Sequence, residues 1–328
     1  MNYFYSQNHQ QLLSKLVNNA VFPTLIEYLH HHQEEDIILR ELKKNFDHPK
    51  FEAFLDQLID ENLIKRENRR YKLNFPIFEE ETYQKEIEEA AAKILQAISP
   101  LSQTEKQLVM GNECWQECFV SNSTYFYATL EDLIPVTRQV AGNENYRFVS
   151  LNYHNKLSYS LANYFYLQKK QLPVPSEFLK LVELIGDVNE TYYFDQVEVI
   201  IERIQAQKYK NRRSSIFFDS LILSNTVKVV KTDDQLNYQL ALPLVKTANS
   251  RRQLPKIAAG RTVEEHAYIA RKVYDRLIKE LNLADFSYIE KSTEKFLDST
   301  VNNPQTSKLS EMTSFDVFYV KFNHLCLL

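Results

Sequence analysis

Two short stretches of this sequence concentrate groups that can hold phosphate. Lys65, Arg66, Arg69, Arg70 and Lys72 fall within eight residues, interrupted by one acid, Glu67. Lys208, Lys210, Arg212 and Arg213 form a second cluster, with no acid between Glu202 and Asp219, and Ser214, Ser215 and Ser220 follow directly. Cationic side chains neutralise the backbone of a nucleic acid. Hydroxyls and free N–H groups at a helix start add donors to the same oxygens. Lys65 to Lys72 and Lys208 to Ser215 are therefore the candidate DNA-binding residues.

Other constellations are weaker. Cys114 and Cys118 stand one helical turn apart, and no histidine lies within 30 residues of them. A tetrahedral zinc site needs four ligands, so these read as buried thiols flanking Trp115. His30, His31 and His32 would point in different directions on a helix. Asp36 with Glu41, Leu42 and Lys43 mimics a nuclease pattern, but within a short surface helix. Asp195, Glu198 and Glu202 with Lys208 form a similar set. Glu264, Glu265 and His266 could do acid–base chemistry only by lining a pocket. They sit at a helix start, where acids are favoured by the dipole. Aromatics between 146 and 166 alternate with Asn152, His154, Asn155 and Lys156, a composition that suits base stacking if exposed and a core if not. No cofactor and no metal are expected.

The elements that must position these groups are constrained by glycine. The 328 residues include only four, Gly111, Gly142, Gly186 and Gly260, and no two are close. A phosphate-binding P-loop, a dinucleotide-binding turn and a G-x-S-x-G elbow are all excluded. Turns that need positive φ must be rare or made by other residues. Hydrophobic residues are 44% and charged residues 25%, which suits globular units with real cores. Net charge is −4, so nucleic-acid binding must come from local patches. Three cysteines make no disulfide framework, which fits a reducing, cytoplasmic setting. The N-terminus has no signal-peptide pattern. No uncharged run exceeds 14 residues, so no membrane span is expected.

The first 78 residues read as one unit. Apolar positions at helical spacing predict a helix over 9–32, then a second over 35–45 capped by Asp36. A third, over about 49–62, places Phe51, Phe54, Leu55, Leu58 and Ile59 on one face. A strand, a turn at Glu67-Asn68-Arg69 and a second strand follow. Three helices and a hairpin in this order resemble winged-helix domains. The segment is also similar to N-terminal stretches of small uncharacterised proteins of Gram-positive bacteria. That resemblance implies a fold and no particular function.

An internal repeat extends the pattern. Residues 54–75 align without gaps to 217–238, with identities at Phe54/Phe217, Asp56/Asp219, Leu58/Leu221, Ile59/Ile222, Asn62/Asn225, Lys65/Lys228, Leu73/Leu236 and Asn74/Asn237. A second winged helix is expected over 176–246, turning at Thr232-Asp233-Asp234, with Gly186 ending its first helix. Between the two, 79–98 predicts an amphipathic helix. Helices are expected near 102–120 and 157–171, with a strand at 146–153. Residues 247–262 read as a basic linker and 263–281 as a helix. The last residues, SFDVFYVKFNHLCLL, favour a strand or a buried segment.

The expected architecture is mainly α with small β-hairpins (α+β): two winged-helix units (1–78 and 176–246), a helical connector (79–175) and a C-terminal helical segment (247–328). Two winged helices in one chain also resemble plasmid replication initiators. The expected activity is binding of duplex DNA in transcription or replication control, without catalysis and as a homodimer. One rival is a protein-docking module using the acidic helix 50–61, whose outward positions carry Glu52, Asp56, Asp60 and Glu61 against Lys50. Another is an enzyme with its site in 100–175.

Overall fold

The computed structural model describes residues 1–6, 10–120, 123–211, 213–232, 235–246, 252–257, 262–292 and 315–316. It is a mixed α and β protein with small sheets, as expected. No helix among the described residues is long and apolar enough to cross a membrane.

The chain opens with β1 (Asn2–Tyr5), α1 (Gln10–Val17), α2 (Val21–His31), α3 (Leu39–Asn45) and α4 (Phe51–Asp60). The single helix expected over 9–32 breaks because the Asn19 side chain accepts the Val21 N–H at 2.9 Å. A short amide that competes for backbone groups in this way starts a new helix. Asp36 caps nothing: α3 begins at Leu39, and Asp36 lies 3.4 Å from the Arg70 Nε instead. Helix α4 ends at Asn62, whose φ is 56°. The Asn62 N–H donates to the Ile59 carbonyl and the Leu63 N–H to that of Leu58, a Schellman closure. The hairpin of β2 (Ile64–Glu67) and β3 (Arg70–Leu73) follows. Asn68 and Arg69 have φ of 50° and 64°, the type I′ geometry that matches strand twist. Residue Ile38 bridges Arg70, adding a third, one-residue rung to this hairpin.

Next come β4 (Ile77–Phe78), α5 (Glu80–Ile98), α6 (Gln103–Val109), a π-helical turn at Met110–Cys114, α7 (Trp115–Phe119) and β5 (Phe126–Thr129). Strand β5 runs antiparallel to β1 and parallel to β4. This small sheet is a two-sided layer. Tyr3, Phe126 and Ala128 join the core of α1–α4. Phe4, Phe78 and Tyr127, on the other face, join a second core containing Ile87, Ile94 and Trp115.

The remaining elements are β6 (Thr137–Gly142), β7 (Tyr146–Asn152), α8 (Leu161–Lys169), α9 (Leu179–Ile185), α10 (Glu190–Gln205), α11 (Ile216–Leu223), β8 (Val227–Thr232), β9 (Gln235–Leu240), β10 (Leu244–Lys246), α12 (Val263–Glu280), β11 (Phe286–Lys291) and β12 (Phe315–Asp316). A five-stranded sheet has the order β10-β11-β7-β6-β12. Val149, Leu151 and Tyr288 face the second core, where α12 packs on α5. Ala141, Phe148 and Ile289 face a third core built from α8 to α11. The sheet thus lies between the α5–α12 layer and the second helix–hairpin segment. Residues 79–175, expected as a helical connector with one strand at 146–153, supply two of its strands, β6 and β7, and all of β5. Gly111 explains how close the layers come: a Cβ there would lie 2.7 Å from Leu151 Cδ1 and 2.9 Å from the Tyr288 hydroxyl.

Candidate nucleic-acid interface

The first basic cluster is the β2–β3 hairpin. Register pairs Lys65 with Lys72 and Glu67 with Arg70 on one face, and Ile64 with Leu73 and Arg66 with Tyr71 on the other. The second face is anchored by buried Ile64 and Tyr71, so the first face points to solvent. Lys65 pairs with Glu67 at 2.6 Å, and Arg70 with Asp36. Both pairs are exposed and worth about 0–1 kcal/mol, so a phosphate can compete for either cation. The Arg66 guanidinium lies 5.6 Å from the centre of the Tyr71 ring, its stem laid along the hairpin. Among the described residues, Arg66, Arg69 and Lys72 form no ion pair.

Helix α4, beside this hairpin, has the opposite character. Glu52, Asp56, Asp60 and Glu61 are not buried, and among the described residues only Glu52 has a cationic partner, Lys43. The hairpin is thus a cationic surface and the helix an anionic one.

The second cluster precedes α11. Lys208, Lys210 and Arg213 are exposed, and Arg212 lies outside the described residues. Lys228 and Lys231 on β8 add two exposed cations that the cluster reading omitted. Ser214 donates to the Asp219 carboxylate at 2.8 Å, and Ser215 begins the helix without a side-chain cap. An acid therefore already stands at this helix start. Ser220 is not a surface donor: it is fully buried, with its hydroxyl 2.6 Å from that of Tyr193 and donating to the Phe217 carbonyl. Helix α11 has no basic residue, so the positive groups of this segment also flank the hairpin.

The two segments match residue by residue. Asn225 has φ 54°, and the N–H groups of Asn225 and Thr226 donate to Ile222 and Leu221, repeating the closure at Asn62. Up to this point the sequence offset of 163 holds. After the turn it becomes 167, because each strand of the second hairpin is two residues longer. Val227 pairs with Leu240 where Ile64 pairs with Leu73, and Val229 pairs with Tyr238 where Arg66 pairs with Tyr71. The identities Leu73/Leu236 and Asn74/Asn237 are therefore coincidental; Tyr71/Tyr238 and Leu73/Leu240 replace them. The Asp233–Asp234 turn lies outside the described residues, as do most of the C-terminal residues and Gly260.

The other constellations resolve into scaffold roles. Asn143 donates to Asp195 at 3.0 Å and to Glu198 at 2.8 Å, and Asn145 donates to Glu198 at 2.9 Å. Lys291, not Lys208, reaches Glu202, at 3.1 Å. These acids dock the β6–β7 turn on α10. Burial pushes the Tyr146 phenol up, and hydrogen bonds to Tyr146 and Glu202 push Lys291 up. Asp36, Glu41 and Lys43 have three separate partners: Arg70, Tyr28 and Glu52. His31 and His32 bond back to the carbonyls of Glu27 and Tyr28. Glu265 closes a capping box with Thr262 and accepts from Tyr83. Cys114 and Cys118 are buried, which raises both thiols far above their ordinary range. Tyr146, Phe148, Tyr153, Tyr164 and Phe165 are core residues.

One feature escaped the sequence. Ser150, Asn152 and Asn163 are fully buried and share hydrogen bonds with Ser158, Ser287 and Thr137. Ser150 and Asn152 stand two apart on one face of β7, between the apolar Val149, Leu151 and Tyr153, a polar pair that could have flagged it.

A family model described as a domain of unknown function (DUF1803) matches residues 2–132. The match spans the first helix–hairpin segment, α5 and the small sheet, and ends just past β5. No curated protein and no solved structure matches the chain.

Proposed function

We propose that this chain is a tandem winged-helix protein that grips duplex DNA through its two hairpins, in control of transcription or replication. The order helix, one-residue strand at Ile38, helix, helix, hairpin supports the winged-helix reading of the first segment. The repeated helix closure supports the same reading of 176–246. The observation that carries DNA binding is where the cations stand. They lie on or beside the hairpins, with Lys65, Arg66, Arg69 and Lys72 exposed on the first and Lys208, Lys210, Arg213, Lys228 and Lys231 exposed around the second.

This placement favours backbone contact over base reading. Helix α4 is acidic outside, and α11 offers no basic or amide side chain, so neither suits the bidentate contacts that specify bases. The protein on this reading binds many duplexes with similar affinity. Fluorescence anisotropy with two unrelated 20-base-pair duplexes tests it. The expected result is comparable affinity for both, lost on Arg66→Glu with Arg69→Glu. An absence of binding even at low salt would end the DNA reading. A second reading rests on α4: its exposed Glu52, Asp56 and Asp60 fit a basic protein partner, which Asp56→Lys with Asp60→Lys would release in a pull-down.

A further inference from the structure

The buried hydroxyl–amide ladder ends in a pocket, and we infer that this pocket binds a neutral polyol of monosaccharide size. Register places Gln139, Ser150 and Ser287 side by side across β6, β7 and β11, with Thr137 and Asn152 forming the next rung. Buried side chains of this kind must be fully bonded to be tolerated. The ladder largely meets that demand: the Asn163 amide donates to Asn152, Ser150 and Ser158 and to the Ser158 carbonyl. A sheet face built this way spends packing that apolar residues would supply, and such departures concentrate at functional sites.

The pocket has a volume of about 170 Å³ and lies between the sheet, the start of α8 and the turn of Ser224, Asn225 and Thr226 that joins α11 to β8. At about 30 Å³ per water it has room for roughly six waters, the bulk of a small sugar ring. Ser158, Ser160 and Ser287 line it together with Tyr159, Asp285 and Phe286. The Tyr159 hydroxyl is buried and has no hydrogen-bond partner among the described residues.

Charge and chemistry select the ligand. Among the described residues no lysine, arginine or histidine lines the pocket, and its one carboxylate is that of Asp285. Asp285 already accepts the Tyr153 N–H at 2.8 Å and sits 3.2 Å from His154. A phosphate or carboxylate ligand would meet a like charge and no cation. Hydroxyl ligands fit better. The Ser158 hydroxyl donates to Asn152, so Ser150 donates to Ser158 and Ser287 donates to Ser150. Ser287 keeps lone pairs to accept from a ligand hydroxyl, and the Tyr159 hydroxyl can donate to one. Leu161 and Leu242, which line the pocket on the side of the third core, give the C–H face of a sugar an apolar wall. This inference is independent of DNA binding, since none of the hairpin cations lines the pocket.

Saturation-transfer NMR on the full chain tests it, with D-glucose, D-galactose, D-mannose, D-ribose and glucose 6-phosphate as probes at about 10 mM, a range that detects millimolar affinity. We expect saturation transfer to at least one neutral sugar and none to the phosphate. Tyr159→Phe, which keeps the ring packed on Phe178, and Leu242→Ala should each weaken binding about tenfold, while Lys93→Gln, at an exposed position of α5, leaves it unchanged. Circular dichroism establishes that each variant is folded. The inference is overturned if no neutral sugar gives a signal with the folded chain. It is equally overturned if glucose 6-phosphate binds as well as glucose, or if neither pocket variant changes the affinity.

Discussion

Leu58 and Leu221 occupy the same place in two copies of one helix end. Both are fully buried, both have their carbonyls closed by the residue five positions on, and both helices stop at an asparagine in the left-handed region. What surrounds them differs. Helix α4 shows acids to solvent and buries one face in the core of α1–α4. Helix α11 is apolar at six of its eight positions and is wedged against α9 and α10 in a core shared with the sheet. One backbone plan therefore serves a surface unit and an embedded unit. The features that stayed alike are those fixed by backbone geometry, the cap and the start of the first strand. The features that diverged are side chains whose burial each site sets afresh.

Substitutions at matched positions can break this comparison. The largest effect should come from Leu58→Ala and Leu221→Ala, each costing about 2–5 kcal/mol by lost burial and a cavity. Denaturant unfolding of the two variants measures it, and a cost under 1 kcal/mol at either site would deny that site its core role. Ser220→Ala comes next. It strips the Tyr193 hydroxyl of its buried partner, at a cost of about 1–3 kcal/mol. At the matched exposed position, Gln57→Ala should stay within about 0.5 kcal/mol. Equal costs for the two would mean that α11 is not embedded as described. The smallest effect, about 1 kcal/mol, is expected for Asn62→Ala and Asn225→Ala, because a Cβ other than asparagine's resists positive φ. Asn62→Gly and Asn225→Gly should be neutral or slightly stabilising, and thermal unfolding distinguishes the two outcomes.

The parts of this fold that were legible in the sequence carry one-sided periodicity. Helices α4 and α5 each bury one stripe, so their extents were close to those expected, and α12 keeps an apolar helical period although every residue from Tyr268 to Asp275 is buried. The five-stranded sheet was mostly illegible, and the reason is physical. Strand β5 is buried at all four positions, and β7 is buried at six of seven. Strands covered on both faces show no alternation to read. The repeat was read correctly through Lys65/Lys228 and wrongly beyond, since a gapless comparison cannot register a hairpin lengthened symmetrically. Of the candidate contacts, the hairpin cations were legible because charge clusters are local. The burial of Ser220 was not, because its partner Tyr193 lies 27 residues away.

The salt dependence of duplex binding tests the central claim most directly. Each phosphate contact contributes about −0.9 to the slope of log K against log salt on B-form DNA. Anisotropy titrations from about 50 to 200 mM salt should therefore give a slope of several units, with similar values for unrelated duplexes. Lys72→Gln should reduce the slope by about one, as should Lys210→Gln, whereas Asp56→Asn should leave it unchanged or raise affinity slightly. A slope near zero, or one unmoved by either lysine substitution, would contradict DNA binding through the two hairpins.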